Sequence, residues 1–139
     1  MLFRSPLQQS INRDPDYSDL DLDFFRHPTT SDVTRKTGVE AIKRSVRNLI
    51  FTNFYDRPFQ SYIGSGVRAL LFENSDPFTA IGLQTAIETC LNNFEPRISL
   101  QNVVVSEDID NHAYNVRIEY IILNKELPVV QSIFLERIR

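Results

Sequence analysis

The chain of 139 residues is long enough for one hydrophobic core and too short for two well-packed domains. Its 42% apolar and 24% charged residues are ordinary for a soluble globular domain, and a net charge of -3 gives a phosphate backbone no broad positive surface to bind. That charge leads us to expect no direct contact with nucleic acid. Cys90 is the only cysteine, so we expect no disulfide within the chain. No apolar run approaches the about 20 residues that a membrane-spanning helix needs, so we expect no membrane-spanning segment.

Residues 1–36 predict an extended acidic arm. Aspartates and prolines cluster there in a composition that buries too little apolar surface to offset its ordering entropy: Asp14, Pro15, Asp16, Asp19, Asp21, Asp23 and Pro28. The segment lacks the apolar stretch and cleavage site of a secretory signal, so we expect the protein to be made and kept in the cytoplasm. Its leucines and phenylalanines indicate that the arm lies on this domain or on a neighbour; the alternative is a mobile tail.

Residues 37–139 are predicted to form the folded domain, and its first half is helical. Thr37 and Glu40 have the spacing of a capping box, so a helix begins there and runs to about Phe51. A loop and a short helix at 67–72 follow, and Asp76 before Pro77 caps a long helix that ends near residue 93. The apolar positions repeat every three or four residues and predict the core faces: Val39, Ile42, Val46, Leu49 and Ile50, then Leu83, Ile87, Cys90, Leu91 and Phe94.

The apolar period changes from about 3.6 residues to about 2 after residue 97, which predicts strands. We expect them at 98–105, where the alternation is imperfect, at 114–123 and at 129–138, with turns at 108–111 and 124–128. The predicted fold is therefore α+β, with an extended N-terminal arm, two to three helices and a three-stranded antiparallel meander.

The sequence supports no metal, cofactor or catalytic triad. The aspartates at 19, 21 and 23 imitate a calcium loop, but Phe24 stands where glycine must make the bend and Thr30 where a bidentate glutamate belongs. Gly64-Ser65-Gly66 follows no buried strand, so we interpret it as a turn rather than a dinucleotide site. The two histidines, His27 and His112, lie in predicted loops.

Paired carboxylates keep one enzymatic alternative open, a lysozyme-like cell-wall glycoside hydrolase. Glu73 and Glu95 follow apolar runs and are the best candidates for a partly buried acid. Tryptophan is absent, and nothing else in the sequence supplies a cleft of sugar-stacking aromatic residues. We therefore predict that the protein is not an enzyme.

Four short motifs carry a resemblance to a known family: Arg57-Pro58-Phe59, Gly64-Ser65-Gly66, Leu71-Phe72-Glu73 and Glu95-Pro96-Arg97. In this order, with the last one between a long helix and a β-hairpin, they resemble the gene-product-twenty-five-like baseplate wedge proteins of contractile phage tails. The family also includes the small baseplate subunit of type VI secretion systems. The resemblance covers residues 37–139.

The resemblance implies a structural role in the virion, at the tail baseplate, for a protein made in the host cytoplasm. Its implied partners are the helical core bundle of the baseplate wedge, contacted by Glu95, Pro96 and Arg97, and the tail sheath protein, whose first ring exchanges strands with the C-terminal sheet. The six-fold symmetry of such baseplates implies six copies. The family members once labelled lysozymes do not change the prediction, because the residues lack that chemistry.

Physical arguments agree with both implied contacts. Pro96 ends the helix, so Glu95 and Arg97 flank a fixed bend and can point outward together, although an internal salt bridge is the alternative. The last strand is more apolar than a free edge tolerates, and β-augmentation by another chain would cover it. We expect strand exchange through Val129, Val130, Gln131, Ser132, Ile133, Phe134 and Leu135. A small binding adaptor unrelated to a sheath remains the other alternative.

Overall fold

The structure, a computed structural model, describes residues 16–74 and 76–137 and has the α+β architecture expected from the sequence. The part of the arm at residues 1–15 and the predicted end of the last strand at residue 138 lie outside the described residues. The elements follow in chain order: β1 (Ser18–Leu20), β2 (Arg35–Thr37), α1 (Gly38–Phe51), α2 (Val67–Leu70), α3 (Pro77–Phe94), β3 (Ile98–Asp108), β4 (Ala113–Ile122) and β5 (Leu127–Glu136).

The C-terminal half is an antiparallel meander in the order β3-β4-β5. Its register places Val116 of β4 between Val105 of β3 and Ile133 of β5. Every second residue of β4 is buried, as the alternation predicted, because one face of the sheet is covered by the helices. The imperfect alternation in β3 has a local cause: the pairing shifts at Gln101, where a bulge adds one residue.

The helices pack on the inner face of this sheet and complete the core. The predicted faces of α1 and α3 are confirmed, since Ile42, Val46, Leu83 and Ile87 are fully buried. The exceptions are Val39 at the start of α1 and Phe94 at the end of α3, which are only partly buried. No helix in the described part of the chain is long and apolar enough to cross a bilayer.

The two predicted helix starts have different outcomes. Asp76 caps α3 as expected, with its carboxylate accepting from the Thr79 amide at 2.8 Å. The capping box at Thr37 is wrong, because the Thr37 side chain makes no capping bond and Glu40 pairs with Lys43 instead. The first helical residue, Gly38, has a φ of +60°, a left-handed conformation that departs from helical geometry where the box would form.

The described part of the arm lies on the domain. β1 pairs antiparallel with β2, and the Gly38 amide donates to the Tyr17 carbonyl at 2.7 Å. Asp21 is buried and accepts from Thr34, with Lys36 at 3.4 Å. Burial alone would raise the pKa of Asp21, but the Asp23 amide, Thr34 and Lys36 outweigh it and lower that pKa. The Lys36 ammonium thus lies beside an aspartate of the segment that resembles a calcium loop. Within residues 16–74 and 76–137, no group of acidic, histidine or cysteine residues could hold a metal ion.

Candidate docking site

The bend between α3 and β3 is set by one proline. The helix ends at Phe94, and Glu95 leaves the helical region with φ -122° and ψ 80°. A residue before proline is pushed toward extended conformations, because the proline ring clashes with its backbone in the helical region. Pro96 itself is exposed, and β3 begins two residues later at Ile98. The corner of Glu95, Pro96 and Arg97 is therefore a fixed turn that joins helix and sheet.

The expectation that Glu95 and Arg97 both point outward is wrong for Glu95. Its side chain faces inward and is only 3% exposed. Arg97 donates two parallel hydrogen bonds to its carboxylate, from Nε to Oε1 at 2.6 Å and from Nη2 to Oε2 at 2.8 Å. The Ser45 hydroxyl, from α1, donates to Oε2 at 2.5 Å. The internal salt bridge considered as the alternative is thus present, and the Ser45 hydrogen bond connects the corner to α1.

Both charges of this pair are retained. Burial would raise the pKa of Glu95, but the hydrogen bonds from Arg97 and Ser45 outweigh it, so that pKa lies below its usual value. The hydrogen bond to Glu95 likewise raises the pKa of Arg97. A glycosidase acid needs the opposite shift, because it must keep a proton near neutral pH. Glu95 is therefore unsuited to that role, and Glu73 is exposed to solvent rather than partly buried.

Arg97 also ties the corner to the arm. Its Nη1 lies 3.4 Å from an Asp19 carboxylate oxygen, and its guanidinium carbon lies 5.4 Å from the centre of the Tyr17 ring. The side chain remains 23% exposed. A partner can consequently reach Pro96 and the outer part of Arg97, while Glu95 serves to hold Arg97 in place.

An open cleft of about 690 Å³ lies beside the corner, bounded by β1, α1 and the loop that follows α1. Its charged lining comprises Asp19, Arg44, Arg57, Glu95 and Arg97, and its apolar lining comprises Leu20, Leu22, Leu49, Phe94 and Pro96. Arg44 is paired with Asp23 at 2.7 Å, and Arg97 is paired with Glu95. Arg57, which also lines the cleft, makes no ion pair with a carboxylate among the described residues.

The predicted strand-exchange segment divides between two faces. Val129, Ile133 and Leu135 are core residues, and Gln131 accepts from the Tyr120 hydroxyl and donates to the Lys43 carbonyl. Val130, Ser132 and Phe134 face outward. β5 is an edge, since within the described chain no strand pairs with its other side. A cleft of about 350 Å³ between the helices and the end of β5 is lined by Ile50, Phe51, Val67, Arg68, Leu71, Phe134 and Glu136.

The loop at residues 53–63, here called the aromatic loop, was predicted from the sequence, but the exposure of its aromatic side chains was not. Phe59 is fully exposed and Tyr55 is 84% exposed. Both have positive φ, 65° and 71°, a conformation that costs a bulky residue about 1–3 kcal/mol. The aromatic residues and Pro58 without a period were visible in the sequence and indicated a loop. Nothing in the sequence reveals the left-handed backbone, because neither residue is glycine or asparagine.

The comparisons with known proteins agree with one another. A family model described as "Baseplate wedge protein gp25" matches residues 36–126. A relative of the same name from Enterobacteria phage T4 is 33% identical over 115 residues, which cover 83% of this chain and 86% of the relative.

Solved structures share the fold. The anti-feeding prophage baseplate contains a chain with a TM-score of 0.63 and 21% identity, covering 89% of this chain and 88% of that one. A chain of the postcontracted pyocin R2 baseplate has a TM-score of 0.54 and 19% identity, covering 85% and 98%. A Geobacter sulfurreducens protein assigned provisionally as a tail lysozyme has a TM-score of 0.67 and 21% identity, covering 72% and 91%. At these identities the likeness extends to the fold alone.

Proposed function

This chain belongs to the baseplate wedge protein gp25 family, and we propose that it joins the wedge core through its corner and starts tail sheath assembly at β5. Family membership makes it a structural component of the virion tail baseplate. The finer assignment, to one docking surface and one templating strand, is our proposal. We also propose six copies per baseplate, supported by the six-fold symmetry of the related anti-feeding prophage baseplate.

Docking at the corner is supported by how firmly that surface is held. The bidentate pair between Glu95 and Arg97, together with Ser45, removes the rotamer freedom that a partner would otherwise have to restrict. Pro96 is exposed at the tip of the turn. A preorganised surface of this kind suits the rigid helical bundle of the wedge core as its partner.

Sheath initiation rests on one observation, the unpaired edge of β5 and its apolar outer surface. Val130 is 53% exposed and Phe134 is 51% exposed. β3, the other edge, has a mostly polar outward face, with Val104 as the apolar exception. An edge with apolar side chains is prone to pair with another chain, and a sheath strand added there would gain main-chain hydrogen bonds.

The test replaces exposed apolar side chains on this edge with charged ones. Lysine on an edge strand opposes further strand pairing, so we expect Val130→Lys with Phe134→Lys to abolish sheath assembly on baseplates that still contain this protein. The matched control is Val104→Lys on β3, where we expect normal sheaths. Sheath length and number are measured by electron microscopy after co-expression of baseplate and sheath proteins, with circular dichroism confirming that each variant folds.

The outcomes separate the alternatives. Sheaths of normal number on the doubly substituted protein would contradict templating by β5 and favour an adaptor role unrelated to the sheath. Loss of sheaths with the Val104→Lys control would indicate a general effect of surface charge. The hydrolase alternative predicts release of peptidoglycan fragments by the wild-type protein, whereas we expect none, because Glu95 is held ionised by Arg97.

A further inference from the structure

We propose that the docking surface extends from the corner onto the aromatic loop, and that its partner offers an apolar pocket for Phe59 next to a carboxylate for Arg57. This inference rests on the proposed function, because the partner meant is the wedge core. Neither residue belongs to the corner, and the loop adds a separate recognition element to it.

The loop is built as a rigid platform rather than a loose connection. The Ser65 hydroxyl is buried and donates to the Ile50 carbonyl at 2.6 Å, while its amide donates to the Thr52 carbonyl at 3.0 Å. Across the loop, the Tyr55 amide donates to the Ser61 carbonyl at 2.9 Å. The aromatic side chains are therefore presented by a backbone that is already ordered, which lowers the entropic cost of binding.

The exposed residues have the composition of a binding hot spot. Phe59 and Tyr55 project into solvent with Arg57 between them, and aromatic residues and arginine are the types enriched where truncation most weakens binding. Their backbone conformation is unfavourable in the isolated molecule, and their side chains bury little apolar surface in return. A partner that buries Phe59 would supply that missing burial.

Continuity with the corner identifies the partner. Arg57 lines the same cleft as Glu95, Pro96 and Arg97. Tyr62 contacts Phe94, the last residue of α3, with ring centres 6.2 Å apart, so the loop and the corner form one surface. The other arginines of the cleft are paired with aspartate or glutamate, and Arg57 is the one without a carboxylate among the described residues. Charge complementarity therefore calls for a carboxylate from the partner.

The experiment measures binding of the full-length protein to purified wedge complexes of the same phage that lack this subunit. We expect Phe59→Ala to weaken binding by about tenfold or more, the loss typical of a hot-spot residue. The matched control is Phe78→Ala, because Phe78 is also highly exposed, at 81%, but lies at the start of α3 away from the cleft. We expect the control to bind like the wild type.

A charge series at Arg57 tests the carboxylate. Arg57→Lys should retain most binding, Arg57→Gln should lose part of it, and Arg57→Glu should lose most. Equal binding by the glutamine, glutamate and wild-type proteins would overturn the charge pairing, and wild-type binding by Phe59→Ala would overturn the pocket. Since all these side chains are exposed, thermal unfolding should be unchanged.

Further measurements distinguish the docking proposal from its extension to the aromatic loop. If the wild type fails to bind the wedge complex, the proposed function fails. If Arg97→Lys weakens binding while the loop variants do not, the corner alone docks and only the extension fails. Deleting residues 1–15 tests whether this chain's own N-terminal segment occupies the cleft. If the deletion and Arg57→Gln each tighten binding to the wedge complex, that segment is the occupant of the cleft and the proposal is overturned.

Discussion

At the scale of single residues, the Glu95 carboxylate is the group on which the corner depends most. Replacing it with glutamine leaves Arg97 without its bidentate acceptor and Ser45 without a charged one. We expect Glu95→Gln to lower the free energy of unfolding by about 2 kcal/mol, since hydrogen bonds to buried charged groups are stronger than neutral ones. Urea unfolding at pH 7 measures the loss. The exposed Glu73→Gln is the matched control and should change little.

The same pair predicts a pH dependence. The pKa of Glu95 is lower in the folded protein than its ordinary value of 4.5, so near that pH the unfolded chain binds more protons. The stabilisation is therefore complete above about pH 4.5 and is lost as the pH falls toward the lower folded pKa. The difference between wild type and Glu95→Gln should shrink as unfolding is repeated at successively more acidic pH. A difference that stays constant down to about pH 3 would contradict the ionised pair.

At the scale of elements, two glycines predict opposite effects of the same substitution. A Cβ on Gly64 would lie 2.6 Å from the backbone of Asn53 and Phe54, which cannot yield without moving the aromatic loop. On Gly82, within α3, a Cβ would meet only Leu70 methyl groups at 3.7 Å and 3.8 Å. We expect Gly64→Ala to destabilise by about 2 kcal/mol or more and Gly82→Ala to stabilise by about 0.5–1 kcal/mol.

The two variants can be compared directly in one urea titration, because each replaces glycine with alanine. Gly64→Ala should also weaken wedge binding, since it displaces the loop that carries Phe59. If both variants shift the midpoint in the same direction, the close approach at Gly64 is not what constrains that loop.

Elements with a local apolar repeat could be predicted from the sequence. The apolar residues that face the core recur with the period of their helix or strand, as Ile42 and Ile87 do on the helices and Val116 does on β4. Their burial can therefore be predicted from sequence spacing alone. The Asp76 cap was equally readable, because its partner Thr79 is only three residues away.

The remaining features depend on residues far apart in the chain. Glu95 turns inward because Ser45, 50 positions earlier, meets it, and Arg97 reaches Asp19 across 78 positions. Sequence spacing carries no signal for either contact. The pairing of β1 with β2 was missed for a related reason, since three-residue strands rich in charge have no apolar period, and their ion pairs stabilise them instead.

At the scale of the whole molecule, the core joins every helix to the sheet. Ile42 and Leu49 of α1, Leu71 after α2, Leu83 of α3 and Ile118 of β4 belong to one cluster of buried side chains. A partner that pulls on β5 or on the corner therefore acts on a single cooperative unit, and domains of this size usually unfold in one step. Rigidity of this kind suits the proposed function, in which the subunit transmits the position of the wedge to the first sheath ring.

Cys90 can report on that cooperativity. Its thiol is 2% exposed and contacts the Leu49 carbonyl, and burial raises the pKa of Cys90 to about 11, against a smaller opposing effect of Arg57. Since the thiolate is the reactive form, alkylation requires the core to open. We expect iodoacetamide to label Cys90 only through global unfolding, with a urea dependence of the opening free energy equal to the equilibrium m-value. The control is Glu73→Cys in a Cys90→Ser background, which should react rapidly without urea. Labelling of Cys90 at a rate that hardly depends on urea would show that α3 detaches locally, and the corner at its end could then not hold the partner rigidly.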